Sequence, residues 1–259
     1  MRFNQKFFII CFSVSLLIGC ESTPEIVRDE PAITGTQKRL KNDSPQRIVQ
    51  IMRRANSLYK DGNFNGAANQ YQKAAVMGSA KAQNALAVMY TEGRGVPQSF
   101  GEAIKWFQKA AKQNFSEAEY NLARIHYKGT GVPKNVTQAK KWFSKAAEHG
   151  HAKAQDELGQ LYYSERDFRQ AGNWFSKAAE QGMPNSQNQL GFMYYEGKGV
   201  KKNLILAYKW VSLAVLLGNQ EAIRAMKFLI KTLSETEISS GDKLASQWLK
   251  KHPNAKRRL

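Results

Sequence analysis

The residues able to do covalent or metal chemistry are few in this chain. There are four His and two Cys among 259 residues. His149 and His151 flank a glycine, His126 stands alone and His252 lies near the C-terminus. A helix-borne metal pair needs its ligands three or four residues apart, so the i, i+2 spacing of His149 and His151 argues against a metal site. His126 falls where other parts of the chain carry Tyr90, Tyr162 and Tyr194, which marks it as a filler of an aromatic slot. Nucleophile signatures of the G-x-S-x-G and H-E-x-x-H kinds are missing. Three Gly-x-Gly-Val phrases, beginning at Gly93, Gly129 and Gly197, lack both the further glycine of a dinucleotide loop and the Lys-Ser/Thr of a phosphate loop. They read as turns. The expectation is a protein that is not an enzyme, with no cofactor, no metal and no small-molecule substrate.

Cys20 is the one residue whose setting predicts a modification. Arg2 and Lys6 precede an apolar run from Phe7 to Ile18, which ends Leu17-Ile18-Gly19-Cys20. Twelve residues of helix reach about 18 Å, short of a bilayer core of about 30 Å. The segment therefore reads as a cleaved leader. It resembles the signal peptide and lipobox of bacterial lipoproteins, in which the peptidase cuts before a Cys whose thiol carries a lipid. The resemblance implies a signal peptide at 1–19, lipidation at Cys20 and, with Glu21 rather than Asp next, an outer-membrane lipoprotein facing the periplasm. Cleavage would remove Cys11 as well, leaving neither a free thiol nor a disulfide. Residues 20–45, with Pro24, Pro31, Gly35 and Pro45 and no apolar periodicity, are expected to be a flexible tether.

Beyond residue 46 the chain repeats itself. Trp-Phe-x-Lys-Ala-Ala starts at Trp106, Trp142 and Trp174, with a degenerate copy at Trp210 and Tyr71 taken as its earliest counterpart. A phrase built on Leu and a small residue recurs at Leu86, Leu122, Leu158 and Leu190. Each unit reads as two amphipathic helices, with the Gly-x-Gly-Val segment breaking the chain between them. Small residues at Ala87, Ala123, Gly159 and Gly191 allow close helix approach. Gly78, Gly150, Gly182 and Gly218, with Asn114 in one unit, end the second helices.

These phrases resemble Sel1-like repeats, relatives of tetratricopeptide repeats. The resemblance implies an all-α, α/α superhelical solenoid of about five hairpins over 46–218, then capping helices at 219–250 and a disordered basic tail at 251–259. The unit around Leu158 and the first unit, with Ala55, Gly62, Phe64, Ala67, Tyr71 and Ala74, lack the glycine insertion and follow tetratricopeptide spacing.

By the same resemblance the first helices line a concave binding face. Counting from each Leu puts Asn84, Tyr120, Asp156 and Asn188 two before it. Arg124, Gln160 and Phe192 stand two after it, and Tyr127, Tyr163 and Tyr195 five after it. All ten are expected to be exposed partner-contacting residues. The tyrosines either form an aromatic stripe suited to peptide or glycan, or pack between units.

The net charge is +18, and loss of Arg2 and Lys6 with the leader leaves 37 basic against 21 acidic residues, or +16. Such a charge favours acidic partners, but export removes nucleic acid from consideration. The reading is a membrane-anchored scaffold for protein–protein interaction in the cell envelope. The alternative is a peptidoglycan- or glycan-binding protein, or a regulator of cell-wall enzymes.

Overall fold

In the computed structural model, residues 35–255 are described, with side chains from Pro45 onward. The leader, Cys20 and the tether up to residue 34 lie outside the described residues. The chain divides into two units, Met1–Asn42 and Asp43–Leu259, and the second holds nearly all of the helical array.

All regular structure among the described residues is helical. Five hairpins succeed one another: α1 (Gly35–Lys60) with α2 (Phe64–Val76), α3 (Ala80–Glu92) with α4 (Phe100–Ala111), α5 (Ser116–Lys128) with α6 (Val136–Glu148), α7 (Ala152–Ser164) with α8 (Phe168–Glu180), and α9 (Pro184–Glu196) with α10 (Leu204–Leu216). Then come α11 (Gln220–Thr232) and α12 (Glu235–Lys251). No helix among the described residues is long and apolar enough to cross a membrane.

The boundaries follow from the sequence punctuation. Asn63, Ser79, Ser99, Asn135, Asp167, Asn203 and Asn219 each accept a backbone N–H with their side chain at a helix start. The second helices end at Gly78, Gly150, Gly182 and Gly218 with positive φ, and Asn114 adopts φ 59° in the same place. Arg166 does likewise, at 64°, in the short α7–α8 turn.

From α2 to α11 each helix packs on its neighbour in sequence, so the core is a chain of neighbouring clusters. The largest fully buried side chains include Phe107, Phe143 and Phe175 from the second helices and Leu86, Leu122, Leu158 and Leu190 from the first. The Phe of Trp-Phe-x-Lys-Ala-Ala is thus fully buried, while its Trp is buried at Trp106 and half-buried at Trp142 and Trp174. Tyr71 is buried beside Ala74 and Ala75, as Phe107 is beside Ala110 and Ala111. It therefore fills the Phe slot and not, as its spacing suggested, the Trp slot. The small residues act as foreseen: a Cβ on Gly159 would lie 2.7 Å from the Phe175 ring, and one on Gly191 2.5 Å from Val211.

The glycine loops do more than turn the chain. Gly95 and Gly199 sit at φ 71° and 73° on the start of a helix in the preceding hairpin, where a Cβ would lie 2.2 Å from the carbonyl oxygen of Phe64 and 2.1 Å from that of Phe168. Gly131 sits similarly on Phe100. The residue between the glycines also reaches back. Arg94 Nη1 donates to the Tyr59 hydroxyl at 2.8 Å, and Lys198 Nζ to the Tyr163 hydroxyl at 3.4 Å.

Two boundaries differ from the sequence reading. The last part of the expected tether is helix, since α1 starts at Gly35 and carries Pro45 inside it. Residues 36–41 are mostly good helix formers, and Pro removes only one backbone bond. The expected tail also begins folded. His252 stacks on Trp248 at 4.0 Å, its Nδ1 lies 2.8 Å from the Trp248 carbonyl oxygen, and Ala255 packs against the cluster around Trp210. Residues 256–259 lie outside the described part.

The two capping helices do not form a sixth hairpin. Both pack on α10, and α12 runs back along it. Gly241 faces Tyr208, and the Trp248 Nε1–H donates to Glu180 Oε2 at 2.7 Å.

Candidate partner-binding grooves

The first helices α3, α5, α7 and α9 form one layer of the array, bonded side by side. Asn121 Nδ2 donates to Asn84 Oδ1 at 3.1 Å, between α5 and α3. Ser186 Oγ donates to Asp156 Oδ1, between α9 and α7. Helix α7 touches α9 directly, while no two second helices pack as closely.

These bonds correct one part of the sequence reading. Of the position two before Leu, Tyr120, Asp156 and Asn188 are buried and Asn84 is half-buried, none being exposed. The register was counted on one isolated helix, and neighbouring first helices approach closely enough to cover it. Tyr120 stacks on His151 at 4.5 Å and tilts against Phe143. Burial pushes the Asp156 carboxyl above its ordinary range, against the opposing bonds from Ser186 and Gln160.

Position two after Leu is the open one. Arg124, Gln160 and Phe192 are exposed. At position five after Leu, Tyr127 is marginally exposed, and Tyr163 and Tyr195 are half-buried. Each turns its ring edge-on to a neighbour (Phe143, Phe168 and Phe228 respectively), and each has a lysine close by.

The remaining residues gather into three clefts on the first-helix layer. Arg124 lines one of about 410 Å³ between α3 and α5, with Val88, Asn121 and Lys128. Gln160, Tyr163 and Asn188 line the largest, about 580 Å³, together with Asn185, Gln189 and Asn219. Phe192 and Tyr195 line a small apolar notch of about 100 Å³ between α9 and α11, closed by Ala225, Phe228 and Leu229. Sequence counting missed Asn185, Gln189 and Phe228, although Phe228 lies one repeat length beyond Phe192 and could have been found that way.

The largest cleft is built of amides. Asn188 is 2% exposed, and its Oδ1 has no hydrogen-bond partner among the described residues. A buried amide oxygen left unpaired costs about 1–3 kcal/mol. The unpaired Gln187 Oε1 has a different origin. In earlier units a residue ending the second helix bonds the matching side chain: Gln113 to Gln83, His149 to Glu119, Gln181 to Gln155. Leu217 stands in that place for Gln187.

The histidines have structural partners. His149 Nδ1 lies 2.7 Å from Glu119, and His151 caps α7 through Nδ1 while its Nε2–H donates to Glu117 at 2.9 Å. That last bond is the main cause holding the Glu117 carboxyl below its usual range. Among the described residues, no three His, Cys, Asp or Glu side chains converge as metal ligands would.

Comparison with known proteins gives the same repeat boundaries. The Sel1 repeat family model matches residues 80–115, 116–151, 152–183 and 184–219, which are the hairpins from α3 to α10. The chain is similar to the crystal structure of a Sel1 repeat protein from Oxalobacter formigenes, with 37% identity and a TM-score of 0.62 over 64% of this chain. It spans about half of that protein, 49%. A protective antigen of uropathogenic Escherichia coli is 26% identical over 82% of this chain and 63% of its own, with a TM-score of 0.40. An immunity protein from Pseudomonas aeruginosa is 22% identical over 78% of this chain and 82% of its own, with a TM-score of 0.44. A search of curated proteins gave no match.

Proposed function

The chain belongs to the Sel1 repeat family, whose members generally mediate protein–protein interaction and are typically non-enzymatic, and from that premise we propose that it is a lipid-anchored envelope scaffold holding a polypeptide segment of its partner across the first-helix layer. The observation that carries the reading is the amide-lined cleft of Gln160, Asn185 and Gln189. An extended polypeptide brings a backbone N–H and C=O at every residue, which match the exposed side-chain amides of Gln160 and Asn185. The adjoining notch of Phe192, Tyr195 and Phe228 takes one apolar side chain. The anchor is Cys20, in an outer-membrane lipoprotein facing the periplasm.

The first helices of these hairpins are close to electrically balanced: α3, α5, α7 and α9 carry four basic and six acidic residues. An acidic character of the bound segment therefore finds no support in this layer. The tyrosines that motivated a glycan ligand each pack one ring edge against a neighbour and do not form one continuous stripe, since Tyr163 and Tyr195 line different clefts.

A photo-crosslinker at Gln189 in the native, membrane-fractionated protein tests the reading. The expected result is one dominant protein adduct, weakened at least about fivefold by Gln160→Ala, in line with about 1 kcal/mol or more for one hydrogen bond. Adducts that form only from an outer site such as Lys141 would overturn it. Cys20→Ala is expected to release the protein from the membrane fraction.

A further inference from the structure

Across the four hairpins from α3 to α10 the positive charge sits on the second helices. Helices α4, α6, α8 and α10 carry eight basic and three acidic residues, against four and six on the first helices α3, α5, α7 and α9. Two of those three acids are engaged: Glu102 with Lys105 at 2.7 Å, and Glu180 with the Trp248 indole and Lys209.

The basic residues fall in register. Lys73, Lys109, Lys145 and Lys177 hold one position of four successive second helices, two residues after the buried Tyr71, Phe107, Phe143 and Phe175. Two residues along a helix is about 200°, so each lysine faces away from the core. Lys105 and Lys141 hold the position one turn earlier in their helices, and all six lysines are exposed.

Three of these ammonium groups lie over indole rings, Lys109 at 3.8 Å from the Trp106 centroid, Lys145 at 4.6 Å from Trp142 and Lys177 at 4.0 Å from Trp174. In three units the Trp-Phe-x-Lys phrase thus lays a lysine over an indole, half-buried at Trp142 and Trp174 and buried at Trp106. The cleft that holds Asn188, the cleft at Arg124 and the Phe192 notch are lined mainly by the other layer. An extended row of point charges without a fork of arginines or a cavity recognises delocalised negative charge, not a discrete ligand. Indole rings beside lysines are the side chains that settle at a bilayer's headgroup level.

We propose that the second-helix layer, along Lys73, Lys109, Lys145 and Lys177, docks on the surface of a bilayer containing anionic lipid. Docked so, the chain turns its electrically balanced grooves toward the aqueous side. This contact is independent of Cys20 and of any peptide in the grooves.

The test uses the full chain with vesicles of phosphatidylcholine alone or with about one third phosphatidylglycerol, read as the ratio of the two affinities. An N-terminal anchor adds equally to both and drops out of the ratio. The expected result is a preference for the anionic vesicles that fades at high salt. Changing the four lysines to Gln should lower the ratio by about fivefold per lysine at most, and changing them to Arg should keep it. A second set, Lys81, Lys128, Lys153 and Lys227 to Gln, removes the same charge from α3, α5, α7 and α11 and should leave most of the preference. Thermal melting of each variant confirms folding. Equal affinity for the two vesicles overturns the proposal. Equal losses from both lysine sets do so too, by showing only net charge. Binding to soluble polyglutamate as tight as to anionic vesicles would replace the bilayer with an acidic protein.

Discussion

Asp156 shows how one residue can be read correctly as special and wrongly as to why. It is a carboxylate buried between two helices, sharing its oxygens between Ser186 and Gln160. Burial raises its pKa above the ordinary value near 3.8, so the folded chain holds that proton more tightly than the unfolded chain does. Its favourable share of stability is therefore complete below that ordinary value and is lost as pH rises through the raised one. At neutral pH the charge is a burden. Asp156→Asn keeps both hydrogen bonds after rotation of the Gln160 amide, and should stabilise the protein at neutral pH by about 1 kcal/mol, or roughly 2–4 °C in Tm. The advantage should shrink as pH is lowered towards about 4. Melting curves across that range check it, and an advantage that grows on acidification would refute the sign. Single-helix counting found Asp156, Tyr120 and Asn188 but exposed them all. The spacing of neighbouring first helices, which decides their burial, is not written in any one helix.

At the scale of elements, the sequence was most legible where backbone conformation demands a residue type. The glycine phrases, the glycines that end the second helices and the small residues after each Leu all stand where they were read. Arg166 is the exception, a long side chain at positive φ where the first unit uses Gly62. The left-handed conformation costs a non-glycine residue about 1–2 kcal/mol, of which glycine's extra unfolded-state freedom returns about half. Arg166→Gly should raise stability by about 0.5–1 kcal/mol in denaturant titration. Gly199→Ala should act in the opposite sense and more strongly. It combines positive φ with a Cβ 2.1 Å from the Phe168 carbonyl oxygen, and a loss of about 3 kcal/mol or more is expected, near the upper end of overpacking. Elements without such demands were less legible. Helix α12 has ordinary amphipathic spacing, and nothing in that spacing says that it folds back along α10 instead of pairing with α11.

For the whole array of hairpins, periodicity gave both the number of units and their order, because each buries its apolar face only against its neighbours. Net charge was equally visible, yet its direction was not. A total of +18 points to no face until the helices are sorted into layers, and only then do Lys73, Lys109, Lys145 and Lys177 align. The separation predicts that salt should weaken vesicle contact strongly and groove contact little, which titrating both on one preparation would reveal. The hairpin α7–α8 differs from those beside it in lacking a glycine loop. The loops of α3–α4, α5–α6 and α9–α10 each press a glycine onto the preceding hairpin. No such clasp joins α7–α8 to α5–α6, where the Lys140–Glu165 ion pair and the bonds of His149 and His151 stand instead. A pull on the two ends of the array would meet, at that junction, helix packing and side-chain bonds without a backbone clasp behind them.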